Sequence, residues 1–413
     1  VVDFRNAVQD VVFVASSSRG GSSVFAELLR HSRSLVHLQA EVNPFLLLAG
    51  LGPGRDGRES DALPKDAAFD GAVLDRELAL DAGQPARGPV GLVHWAGDLA
   101  WRLQAQWPGL EVSPEVALRW LKHGLAEVLG AGSPPEQLTT AALSRVHLAV
   151  LDQARSEGAP VDPAFCDLPP ALLAGRPLPA GPPGEVVLEE PPFVVPRPWQ
   201  RATAADLARP LIIKTPSNAY RLDFLAQLFP RARVRVLHLV RNPAATINGL
   251  VDGWRYRGFH AHRLTAPLRM AGYVDHRPAD RHWWKFDLPP GWQALADQPL
   301  VRVAAFQWAS AHRATLDFLR RNPQVDTLQV RFGDVIGPQR RATFARIMDW
   351  LSQPVDAGLE AVLDELPPPV MATAAPRARR WFARAEELAP ALALPEVRAL
   401  VEELELGPAA SWG

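Results

Sequence analysis

From Val11 to Ala15 the chain runs through a short stretch of mostly β-branched apolar residues, and a polar, glycine-containing turn follows immediately. Continuous apolar character without alternation marks a strand buried on both faces, so a sheet containing it must be covered on both sides. From Ser22 to Arg30 the apolar residues Val24, Phe25, Leu28 and Leu29 recur one turn apart, which predicts a helix beginning almost at once. The same grammar returns later. Leu211 to Ile213 reads as a strand ending in Lys214, followed by Thr215, Pro216, Ser217 and a helix carrying Leu222, Leu225 and Leu228 that stops at Phe229-Pro230. Val234 to Val240 is a third strand, and Asn242-Pro243 supplies an N-cap and a helix-first proline for Ala244 to Val251. Thr327 to Phe332 reads as a fourth strand, before which Val301 to Arg320 has the pattern of a long helix. Strands that alternate with helices imply a mainly parallel sheet with ligands at the carboxyl ends of its strands.

Composition limits what such a sheet can serve. The 413 residues are ample for a buried core, and 44 basic against 45 acidic residues leave a net charge of −1. No global field draws nucleic acid or anionic lipid, so an anion site has to be local. Cys166 is the only cysteine, which excludes an internal disulfide and a cysteine-held zinc and fits a reducing cytoplasm. The longest apolar run, Phe45 to Leu51, is far short of a membrane span. The chain begins at Val1, so the lack of a leader sequence weighs little, and oligomeric state is not legible. Two regions break the strand–helix rhythm. Residues 50–210 read as a mainly helical, Pro-rich insertion or cap, with helical patches at Pro114 to Leu129 and Thr139 to Ala154 and a proline-dense excursion from Pro169 to Pro198. Residues 255–300 form a second insertion rich in Trp, His and Arg. The expectation is one α/β domain over 1–413 with these two insertions.

The first turn, Ser16 to Ser23, lies between a strand and a helix, where backbone N–H groups and the helix dipole converge on an anion. The fold class expected is therefore α/β: a P-loop-like three-layer fold with a mainly parallel central sheet and largely helical insertions. A nucleotide-hydrolysing loop reads Gly-x-x-x-x-Gly-Lys-Ser/Thr, whereas here Ala15 stands at the first Gly and Gly21 at the Lys. The third strand ends in Arg241 rather than in a magnesium-binding Asp. Positive charge is expected from side chains, without a metal. Lys is rare, occurring only at positions 65, 122, 214 and 285, so Lys214 stands out in a chain that otherwise writes Arg.

Four features line up in order: Arg19-Gly20-Gly21-Ser22-Ser23, Glu41 after the first helix, Lys214-Thr215-Pro216, and Arg241-Asn242-Pro243. Together they resemble the sulfotransferases that use 3′-phosphoadenosine 5′-phosphosulfate, in particular the bacterial and tyrosylprotein-like branch. The resemblance covers about residues 10 to 48 and 205 to 260, extends to 300 to 350, and leaves the two insertions uncovered. It implies that Arg19, Gly20, Gly21, Ser22 and Ser23 bind the 5′-phosphosulfate and that Arg241 binds the 3′-phosphate. It further implies that Glu41 is the general base toward an acceptor hydroxyl and that Lys214 stabilises the departing oxygen, with no metal. The family's usual 3′-phosphate Ser falls here on Gly249, where Asn248 or a backbone group would substitute. Arg377, Arg379 and Arg380 resemble the basic late segment that closes over the donor in relatives; read on their own they are a basic helix start.

Physical chemistry supports the assignment of Glu41, since burial beside Phe45 and Leu46 to Leu48 raises a carboxyl pKa toward the neutral range that base catalysis favours. His37 and His94 are the alternative bases. A kinase or other nucleotide-dependent phosphotransferase on the same sheet, and a catalytically inactive binding protein, are the rival readings. The acceptor expected is a small-molecule or carrier-bound alcohol or phenol, and the tryptophans of the second insertion, including Trp283, Trp284 and Trp292, are candidates to line its pocket.

Overall fold

The computed structural model of the chain describes residues 3–52, 59–86, 91–130, 138–166, 168–177, 198–366 and 372–412. Its strands, in chain order, are β1 (Asp10–Ala15), β2 (Val36–Leu38), β3 (Ala82–Pro85), β4 (Trp199–Arg201), β5 (Leu211–Lys214), β6 (Arg233–Val240), β7 (His260–Arg263), β8 (Trp283–Lys285) and β9 (Asp326–Arg331). Among the described residues seven of them form one sheet in the order β4-β3-β2-β5-β1-β6-β9, and β7 pairs with β8 in a separate antiparallel hairpin. The run from β2 to β9 is parallel, and β3 and β4 extend one edge antiparallel.

The residues of β1 show why the sheet is covered on both faces. Val11, Phe13 and Ala15 pack on one side with Ile213, Val236, Phe224 and Phe229. Val12 and Val14 pack on the other with Leu237, Phe25, Leu28 and Phe344. Neither side of the strand is left to solvent, and each fully buried Val or Phe contributes about 1.5–3 kcal/mol of transfer free energy. The result is the α/β arrangement of helix, sheet and helix layers that the continuous apolar runs required.

The four strands read from sequence form within a residue or two of their expected bounds, as do the helices Ser22–Leu29, Leu222–Leu228 and Leu300–Arg321, while the helix expected from Ala244 to Val251 runs from Pro243 to Arg255, four residues further. Asn242 caps its helix as expected, its Oδ1 accepting the Ala245 N–H at 2.8 Å. Between β2 and β5 the helices Leu92–Gln106, Pro114–Leu129 and Thr140–Ser156 pack around Trp95, Trp120, Leu121 and Val150 in a core of their own. The excursion expected from Pro169 to Pro198 falls largely outside the described residues, which omit 178–197.

One tryptophan of the second insertion, Trp284, calls for a correction: it does not line a pocket. Trp284 is fully buried, its ring edge-on to Trp254 at 5.1 Å, and Trp292 sits 5.4 Å from Trp284. Trp284 is therefore core, joined with Trp308 and Tyr273 in the cluster that anchors the hairpin to the helices after β6. Among the described residues no helix is long and apolar enough to cross a membrane.

Candidate active site

The parallel register sets the site. Val14 of β1 lies beside Lys214 of β5, and Ala15 lies beside His238 of β6, three residues before Arg241. Strand ends at one edge of a parallel sheet point their following loops the same way, so Ser16–Ser23, Lys214 and Arg241 share that edge.

The loop after β1 is shaped by its glycines. Gly21, the N-cap of helix Ser22–Leu29, has φ +97°, and a Cβ there would come within 2.2 Å of the Phe332 ring. A Cβ on Gly20 would meet the Ser16 hydroxyl and, at 2.7 Å, the Ser17 carbonyl. Arg19 itself adopts φ +61°, uncommon for a residue with a side chain. The chain thus doubles back tightly enough to aim the first N–H groups of the helix into the loop. Ser17 and Ser18 are buried, and the Ser17 hydroxyl has no hydrogen-bond partner among the described residues. A loop this compact, lined with hydroxyls and free helix N–H groups, fits a phosphate or sulfate and has no room for side chains at its two glycines.

Cationic groups gather around it. Arg241 Nη1 donates to the Arg19 carbonyl at 3.1 Å, and its guanidinium stacks on Phe332, 4.8 Å from the ring centroid. Arg19 stacks on Phe259 at 5.3 Å, and its Nη2 lies 3.3 Å from the Thr373 hydroxyl. Burial pushes both guanidinium pKa values down to about 10; for Arg241 the nearby charges of Arg19 and Arg380 act in the same direction. Both remain cationic at neutral pH, and like charges held this close favour an anion beside them. Arg377, Arg380 and Arg384 line an adjoining cavity of about 370 Å³ together with Asn248, Ala374, Ala375 and Ala383. The late basic segment therefore lies against the loop, and Arg380 and Arg384 both pair with Asp252, Arg384 at 2.9 Å. Arg379 turns away and donates to the Ala410 carbonyl at 3.3 Å.

The departure at Gly249 has a local cause. A Cβ at that position would stand 3.3 Å from Cβ of Arg19, so the glycine is the surface on which the Arg19 stem rests. Asn248 faces the cavity, its Oδ1 accepting from Arg384 Nη1 at 2.6 Å.

On the other side of the loop Lys214 Nζ contacts the Glu41 carboxylate and lies 3.4 Å from the Ser23 hydroxyl. Glu41 is only 4% exposed. Burial pushes its pKa up to about 7 against the opposing pull of Lys214, with smaller opposing contributions from Arg30 and Arg221. A carboxyl poised there exchanges a proton readily at neutral pH. The alternative bases are placed differently. His37 lies inside the sheet, hydrogen-bonded to the Leu29 backbone and held neutral by burial, its pKa near 3. His94 stands half-exposed on its helix, 3.6 Å from Asp98.

The structure brings eight of the residues singled out from sequence to one edge: Arg19, Gly20, Gly21, Ser22 and Ser23 in the loop, Arg241 above it, Lys214 and Glu41 beside it; His37, His94 and Arg379 lie apart from it. Sequence reading missed Arg384 and Asp252. Asn248 and Asp252 are spaced i,i+4 on the helix after Arg241, so the shared face was legible. Arg384, across a long separation and in a 3₁₀ turn, carried no periodic signal. Among the described residues no group of three or more His, Cys, Asp or Glu side chains is placed to hold a metal ion.

No family model matches the chain, and no curated protein does. Among solved structures it is similar to the sulfotransferase domain from the curacin biosynthetic pathway, with 16% identity over 96% of this chain and 98% of that one and a TM-score of 0.34. It is similar as well to the sulfotransferase domain from the Synechococcus PCC 7002 olefin synthase, with 16% identity, 97% and 95% coverage and a TM-score of 0.34. Sulfotransferase STF1 from Mycobacterium tuberculosis H37Rv shares 13% identity over 94% of this chain and 78% of that one, with a TM-score of 0.31.

Proposed function

We propose that this chain is a sulfotransferase that moves a sulfuryl group from 3′-phosphoadenosine 5′-phosphosulfate to the hydroxyl of an alcohol or phenol, small or carrier-bound, without a metal. The observation that carries this reading is the contact of Glu41 with Lys214 at the rim of the anion loop, where Lys214 also reaches Ser23. A carboxylate and an ammonium side by side at such a loop are the two groups that in-line transfer between oxygens requires.

Arg19, Gly20, Gly21, Ser22 and Ser23 hold the 5′-phosphosulfate, and Arg241 holds the 3′-phosphate with a guanidinium fork. Arg380 and Arg384 add positive charge along the adjoining cavity. The bound donor supplies the electrophilic sulfuryl group and the bridging oxygen on which charge develops. Glu41 takes the proton of the acceptor hydroxyl as that oxygen bonds to sulfur. Lys214 places its ammonium at the bridging oxygen and neutralises it as the old bond breaks, the role a metal plays in phosphoryl transfer. The whole chain is read as one α/β domain, with 50–210 and 255–300 as the insertions that meet the acceptor.

The assignment separates binding from chemistry. Glu41→Gln and Lys214→Ala are expected to lower turnover about 10²- to 10⁴-fold, with the affinity for adenosine 3′,5′-bisphosphate nearly unchanged. Arg241→Ala is expected to weaken that affinity by about 1.5–3 kcal/mol. Turnover is followed as bisphosphate release with a panel of alcohols and phenols. Equal loss of binding in all three variants would contradict these roles.

A further inference from the structure

Glu41 sits beyond the end of a strand, yet the chain around it is held on both sides. The β2–β5 ladder pairs end at His37 and Ile212, short of both Glu41 and Lys214. Side chains take over from there. Arg30 donates to the Gln39 carbonyl at 2.9 Å, and Asp81 Oδ2 accepts the Ala40 N–H at 3.0 Å. On the far side of Glu41, the Val42 N–H donates to Thr215 Oγ1 at 3.0 Å. Thr215 is fully buried, and its hydroxyl donates in turn to the carbonyl of Lys214 at 2.8 Å. Thr215 follows Lys214 directly, so this clamp joins the Glu41 segment to the end of the strand that carries the ammonium.

We propose that Thr215 is a positioning residue for the Glu41–Lys214 pair, its hydroxyl tying the backbone after Glu41 to the backbone of Lys214 where the strand ladder no longer does. A hydroxyl can accept one hydrogen bond and donate another at once, which Val cannot and Ser can. Without it the buried Val42 N–H is left unsatisfied and is driven to find another partner, carrying Glu41 away from the ammonium. What the pair does rests on the sulfotransferase reading; how it is held does not.

The charged groups that face Glu41 are Lys214 from β5, Arg30 from the end of helix Ser22–Leu29, and Arg221 before helix Leu222–Leu228. Separation from Lys214 removes the nearest stabiliser of the ionised carboxylate and raises its proton affinity. The test is pH-difference infrared spectroscopy on the full chain, following the protonated carboxyl band that disappears in Glu41→Gln. In Thr215→Val the midpoint is expected to move to higher pH, with proton affinity up about tenfold, and in Thr215→Ser to return to the wild-type value. An unchanged midpoint in Thr215→Val, or a Thr215→Ser variant that behaves like Val, overturns the proposal. If Thr215→Val does not fold, Thr215→Ala carries the same expectation and the same refutation. Calorimetry with adenosine 3′,5′-bisphosphate runs in parallel, with wild type and Thr215→Val expected to bind alike. A wild type that does not bind the bisphosphate sinks the sulfotransferase reading, while the infrared midpoint still decides the role of Thr215.

Discussion

Replacing Gly21 with Ala probes how the anion loop and Arg241 are coupled. The glycine has φ +97°, and the added Cβ would overlap the ring of Phe332, 2.2 Å from two of its carbons and 2.8 Å from Cγ. Phe332 is buried and carries the Arg241 guanidinium on its face at 4.8 Å. Two costs add. A left-handed backbone conformation costs an L-residue about 1–2 kcal/mol, and overpacking a filled site costs about 1–3 kcal/mol. Gly21→Ala is therefore expected to lose about 2–5 kcal/mol in chemical denaturation, and to bind adenosine 3′,5′-bisphosphate more weakly because the displaced ring takes Arg241 with it. A double-mutant cycle separates the two parts. In a Phe332→Leu background the backbone cost remains and the steric cost falls, so Gly21→Ala should be milder there by about 1–3 kcal/mol. The same cost in both backgrounds, or a loss below about 0.5 kcal/mol, would refute the coupling.

Four further outcomes follow from the same geometry. Glu41 must be ionised to take a proton, and its folded pKa is raised from 4.5 to about 7, so kcat/KM should rise with pH through about 7 and level off above it. Because that pKa is raised, the stability Glu41 contributes is fully present below about 4.5 and is lost as pH rises through about 7; Glu41→Gln should gain on wild type across that window in denaturation measurements. Gly249→Ser should weaken bisphosphate binding rather than strengthen it, since its Cβ meets the Arg19 stem at 3.3 Å; a calorimetric gain in affinity would contradict this. Asp81→Ala leaves Arg102 buried without its carboxylate partner and should cost about 3–5 kcal/mol in denaturation experiments.

β1 and β5 could be read because each is a continuous apolar run, and the ends of β1, β5 and β6 could be read because Ser16, Lys214 and Arg241 are polar. The other short strands, including the parallel β2 (Val36–Leu38), could not. β3 is Ala82-Gly83-Gln84-Pro85 and β4 is Trp199-Gln200-Arg201, too short and too polar to show a period. The hairpin strand β7, His260-Ala261-His262-Arg263, hides for the same reason. Within the site, chain order alone placed Glu41 with Lys214, because 173 residues separate them and no local pattern links positions so far apart. The clamp at Thr215 needed atoms. A threonine after a strand-end lysine reads as loop or cap until its hydroxyl is seen between Val42 and Lys214.

The measurement that bears most directly on the account is calorimetric titration of adenosine 3′,5′-bisphosphate into the full chain, with ATP plus Mg²⁺ as the competitor. The arginine cluster and the glycine-shaped loop predict metal-independent binding in the micromolar range, on the order of −8 kcal/mol, and little competition from ATP. Tight, Mg²⁺-dependent binding of ATP with no binding of the bisphosphate would contradict the sulfotransferase assignment and point to phosphoryl transfer instead.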